Sequence, residues 1–107
     1  MHWFVSLHPV QLKQVTTDLE RVYPTVKMGR RQGGARNKES TYLHLLVCSL
    51  EVETLSYLIG RKRAIEFVLK KPYYRWIYHE VVSNASIAKI MEKRGLVLSQ
   101  LRAEQGN

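Results

Sequence analysis

The sequence predicts an α/β domain: a small mixed sheet with two or three helices packed on it. Three observations carry that expectation. Apolar residues make up 45% of the 107-residue chain, enough for a core without disulfides or metal. Segments of strand character alternate with segments of helical spacing, which favours layers over a bundle. Tyr73 to Val82 is dense in aromatic and β-branched residues, the side chains that suit a pleated surface. A mostly α arrangement is the alternative, because the apolar run from Thr41 to Val52 suits a buried helix as well as a buried strand.

Taken in order, Trp3 to Leu7 reads as a short apolar strand ended by His8-Pro9, with Pro placed to open a helix. Leu12, Val15, Leu19 and Val22 recur at the spacing of one helical face, and Pro24 ends that helix. Residues 27–40, with Gly29, Gly33 and Gly34 among Arg, Asn, Lys and Ser, read as a basic Gly/Arg loop. Turn chemistry before Thr41 tips 41–52 towards strand. Thr54 can cap a helix that turns Leu55, Leu58, Ile59, Ile65, Val68 and Leu69 inward, closed by Pro72. Tyr73 to Val82 follows as the clearest strand. Asn84 caps a short helix with Ile87, Ile90 and Met91 on one face, and Gly95 suits its left-handed end. Leu96 to Leu98 reads as a last strand. Residues 1–101 are thus expected to form a single domain, with 102–107 a frayed tail.

Charge is the strongest functional signal. Seventeen Lys and Arg oppose nine Asp and Glu, a formal net charge of +8. Lys27, Arg30, Arg31, Arg36 and Lys38 lie in a stretch with no acid. Arg61, Lys62, Arg63, Lys70, Lys71 and Arg75 form a second cluster, interrupted only by Glu66. Arginine forks match phosphate oxygens, and glycines let a backbone approach a phosphate closely. The 27–38 loop is not a P-loop, since the Gly-Lys-Ser/Thr ending is absent. Aromatics beside the second cluster suit single-stranded nucleic acid, whose bases stack on rings. The same aromatics more readily fill a core, the commoner use of three rings on one face.

Catalytic groups are sparse. Cys48 is the only cysteine, so an internal disulfide is excluded, and it reads as a small buried hydrophobe. His2, His8, His44 and His79 lack the spacing of a metal pair, and Glu51 and Glu53 alone do not make a nuclease site. No apolar run approaches the ~20 residues of a membrane span. These features predict a cytoplasmic location, or the host cytoplasm for a phage-encoded protein.

The segment Ile77 to Val97, with Val82, Asn84, a short helix and Glu92-Lys93-Arg94-Gly95-Leu96, resembles the closing part of GNAT-type acetyltransferases. It is similar also to short acetyltransferase-like proteins of tailed phages. The resemblance covers about residues 55–98 and implies a GNAT-like C-terminal half. It also implies acetyl-CoA as cofactor. Arg30-Arg31-Gln32-Gly33-Gly34-Ala35 matches the family's pyrophosphate turn in letters, but does not directly precede the 55–69 helix.

The residues themselves predict no cofactor and no metal. They predict a small non-enzymatic basic protein that binds DNA or RNA, or a nucleic-acid-associated protein complex, of a kind that phages and mobile elements encode. An acyl-CoA-dependent N-acetyltransferase-like protein and a protein-binding inhibitor of a host enzyme are the alternatives. The basic side chains of the two clusters are the expected nucleic-acid contacts.

Overall fold

Pro9 opens the first helix, α1 (Pro9–Val22), at a position where its missing N–H costs nothing. A computed structural model describes residues 8–96, and every extended regular element in it is helical. After α1 come a 3₁₀ turn (Arg30–Gln32), a long α2 (Lys38–Ile59), α3 (Arg61–Leu69), α4 (Arg75–Ser83) and α5 (Ala85–Lys93). The α/β expectation is therefore overturned in favour of its mostly α alternative: no strand occurs among the described residues. The GNAT-like reading falls with it, because that fold is built on a sheet. The expected strand at 3–7 and the 102–107 tail lie outside the described residues, as does most of 96–98.

Two segments account for the error. Residues 41–52 belong to α2, which Asn37 caps by accepting a hydrogen bond from the Ser40 N–H at 2.8 Å. Thr41, Tyr42, Leu45, Leu46, Val47, Cys48, Leu50 and Val52 are all buried. A helix buried on most sides shows no polar face, so no helical period marks it. Thr54 caps nothing; it sits inside the helix and donates its hydroxyl to the Leu50 carbonyl at 2.8 Å.

The second segment is α4. Tyr74, Ile77, Tyr78, Val81 and Val82 are the buried or half-buried apolar residues of this stretch, together with Trp76. Their spacing is the i, i+3, i+4, i+7, i+8 stripe of an amphipathic helix. Composition argued for a strand, and position argued for a helix. Position wins, because the stripe lays one face on α2.

Helix α2 is the centre of the molecule, with α3 and α4 packed closely on it and α1 closing against α5. Although the sequence offers no long apolar run, α2 could cross a membrane by length and composition, and here it supplies seven residues of the hydrophobic core. Gly60, at φ 88°, separates α2 from α3. The face expected at 55–69 is only partly inward: Val68 is buried, whereas Leu58 is 66% exposed. The end of α5 follows the sequence closely. Gly95 adopts φ 75°, and the Leu96 N–H reaches back to the Met91 carbonyl at 2.8 Å, a Schellman closure. Arg94 then pins α5 to α1 by bonding Asp18 at 2.8 and 3.1 Å.

Candidate nucleic-acid interface

The two basic clusters are distant in sequence, and backbone chemistry joins part of each. The 27–36 loop folds on itself: the Gly29 N–H donates to the Ala35 carbonyl at 2.7 Å, and the Gly34 N–H to the Gly29 carbonyl at 3.1 Å. Its Gly33 carbonyl then accepts from the N–H groups of Trp76 and Ile77, at 3.1 and 3.3 Å. These are first-turn amides of α4, groups that a helix leaves without an internal partner. A loop carbonyl thus does what a capping side chain does elsewhere.

The glycines serve this closure. A Cβ on Gly34 would lie 1.7 Å from the Lys27 carbonyl oxygen, and one on Gly33 would lie 2.5 Å from the Trp76 nitrogen. Close backbone approach is indeed their purpose, but what approaches is the chain itself. The first-turn amides of α4 at Trp76 and Ile77 are likewise occupied.

The docking creates two clefts beside the turn at 70–75. One, of about 370 Å³, is lined by Lys27 and Gln32 from the loop and by Lys71, Arg75, Trp76 and His79 among others. The other, of about 420 Å³, is lined by Gly34, Ala35, Arg36, Tyr73 and Tyr74. Lys27, Arg36 and Arg75 are exposed, and none has a carboxylate partner among the described residues.

Lys71 is different. Its ammonium bonds Glu51 at 3.1 Å and the Tyr78 hydroxyl at 3.2 Å, while that hydroxyl donates to Glu51 at 2.6 Å. It also lies 5.6, 5.7 and 5.2 Å from the ring centres of Phe67, Tyr73 and Tyr78. Lys71 is therefore a fixed strut beneath the face, its charge shared with Glu51. Burial, and then the hydrogen bond to Glu51, raise the Tyr78 hydroxyl far above the usual tyrosine range. Burial likewise pushes the neighbouring Cys48 thiol up to about 12, so Cys48 is no nucleophile at neutral pH.

The remaining expected contacts scatter. Arg31 is exposed in the 3₁₀ turn, and Arg30 is described only in its backbone there. Lys38 stands 5.9 Å over the Tyr42 ring at the start of α2. Lys62, Arg63 and Lys70 are exposed along and just beyond α3. Arg61 lines a separate cleft of about 510 Å³ with Glu53, Ser56, Asn84 and Glu92. The structure thus gathers Lys27, Arg36, Lys71 and Arg75 around one turn. Gln32, Tyr73, Trp76 and His79 join them. Sequence reasoning could place His79 beside Arg75 and Gln32 beside Lys27, but only the loop-to-helix docking brings the two pairs to one cleft.

Among the described residues no group of three or more His, Cys, Asp or Glu could hold a metal. Comparison with family models, with curated proteins and with solved structures finds no match.

Proposed function

We propose that this chain is a small, non-enzymatic nucleic-acid-binding protein that grips phosphates around the 70–75 turn. Lys27 and Arg75 supply cations on one side of that turn, and Arg36 supplies one on the other. The observation that carries this reading is the Gly33 docking, which brings basic residues from both sequence clusters to one ridge. Uncompensated cations beside half-exposed aromatic rings suit a polyanion with stackable bases.

The test is the salt dependence of binding, read by fluorescence anisotropy with labelled oligonucleotides. Each phosphate contact contributes about 0.7 to 0.9 to the slope of log affinity against log salt. The triple variant Lys27→Ala, Arg36→Ala, Arg75→Ala is expected to lower that slope by about 2 to 3. Replacing Lys13 and Lys89, exposed on α1 and α5, is expected to change it far less. Equal losses from both sets would reduce the effect to net charge and sink the proposed face.

A further inference from the structure

We infer that the nucleic acid is bound as a single strand, with unpaired bases stacked on Phe67 and Tyr73. This rests on the nucleic-acid reading above and names its substrate class.

Phe67, in the last turns of α3, is 54% exposed, and Tyr73, in the turn between α3 and α4, is 45% exposed. Isolated exposed apolar side chains are common and mean little alone. These two are not isolated. Both rings flank the same Lys71 ammonium, which Glu51 and the Tyr78 hydroxyl hold in place. Tyr73 is fixed further by an edge-on contact with Tyr74, whose centre lies 5.5 Å away at 90°. Tyr74 in turn leans on His44 at 4.6 Å. The rings are therefore presented on a braced support, and ordering them on binding costs little.

Each ring also has further cations beside it. Arg63 and Lys70 are four residues before and three after Phe67, the spacings that place side chains together on a helix. Arg36 shares a cleft with Tyr73. Rings that carry bases, alternating with cations that follow phosphates, form the arrangement that grips single strands. A duplex keeps its base faces inside the stack and offers such rings nothing to cover. The inference gives Arg63 and Lys70, which the two clefts leave out, a place on the same track.

The experiment compares three labelled oligonucleotides of about 16 nucleotides, the upper site size of a single-strand-binding module: single-stranded DNA, single-stranded RNA of the same sequence, and the DNA duplex. At least one single strand is expected to bind more tightly than the duplex at the same salt. Phe67→Ala and Tyr73→Ala are each expected to weaken single-strand binding by about fivefold or more and to leave duplex binding unchanged. Tyr73→Phe, which keeps the ring, is expected to bind like the parent. Both side chains are exposed, and unchanged circular dichroism would show that the variants fold. Equal affinity for strand and duplex, with both alanine variants neutral, would overturn the stacking inference. Persistent loss of binding in the Lys27, Arg36, Arg75 variant would then show that the phosphate reading survives. Failure of all three oligonucleotides to bind at low salt would remove both.

Discussion

Gly34 and Tyr23 show how much a single position decides in this molecule. At Gly34 one added methyl would meet the Lys27 carbonyl oxygen at 1.7 Å, a backbone atom that cannot swing aside. Gly34→Ala is therefore expected to cost about 3 kcal/mol or more, the upper end of overpacking penalties. Chemical denaturation would measure it, and a neutral result would mean that the loop does not close as described. Tyr23 works by hydrogen bonding instead. Its hydroxyl donates to Glu80 at 3.0 Å and accepts from Asn84 at 2.6 Å, while its own carbonyl accepts from the Tyr42 hydroxyl. It stands edge-on to Trp76 at 5.8 Å. One residue after α1 thereby ties α2, α4 and the head of α5 together. Nothing in the sequence distinguishes Tyr23 from the chain's other tyrosines, because its partners are 57 and 61 residues away.

At the scale of the elements, Gly60 governs the corner between α2 and α3. Its φ of 88° and ψ of 152° lie in a region open essentially to glycine alone, yet a Cβ there would touch nothing. Gly60→Ala therefore isolates backbone strain from steric clash. Its expected cost is about 1 to 3 kcal/mol, with a gain in helical circular dichroism if α2 and α3 fuse to relieve the strain. A loss as large as that of Gly34→Ala would contradict the open space around Gly60.

The elements that local chemistry marks were legible in the sequence. Pro9 at the start of α1, Asn84 before α5 and Gly95 after it each report a terminus directly. Helices α2 and α4 were not read, for opposite reasons. In α2 the apolar residues surround the axis, leaving no period to find. In α4 the helical period at Tyr74, Ile77, Tyr78, Val81 and Val82 is masked by an aromatic and β-branched composition that by itself points to a strand. The basic residues of the candidate interface could be named from sequence; which of them meet could not, since that depends on a carbonyl at Gly33 finding a helix that begins at Arg75.

Over the whole molecule, buried acids of the weak kind set a limit on alkaline stability. Cys48 is raised from an ordinary 9.0 to about 12 by burial. Tyr23, Tyr42 and Tyr78 are all raised above 10.0, chiefly by burial. Each such group keeps its proton in the folded state at a pH where the unfolded chain has released it. The stability it contributes is fully present below its unfolded value and drains away as pH rises. Thermal melts are therefore expected to fall steadily above pH 9.0, the unfolded value of Cys48. Cys48→Ala is expected to flatten the first part of that fall, before the tyrosines engage near 10.0. An unchanged slope in that variant would remove Cys48 from the account. At the acid end the sign reverses. Hydrogen bonding from Arg94 holds the Asp18 carboxyl below its ordinary 3.8, so the tie between α1 and α5 weakens as pH falls through that range.

The carbonyl of Gly33 has a consequence for motion. It is the shared acceptor for two amides at the head of α4, and Gly33 lies within the loop that the Gly29 and Gly34 amides close. Neither segment can loosen without stranding the other's polar groups. The loop and the first turn of α4 are thus one cooperative opening unit, in the sense used for native-state hydrogen exchange. The basic ridge beside the 70–75 turn therefore opens as a whole or not at all, and whatever steadies either segment slows the opening of both.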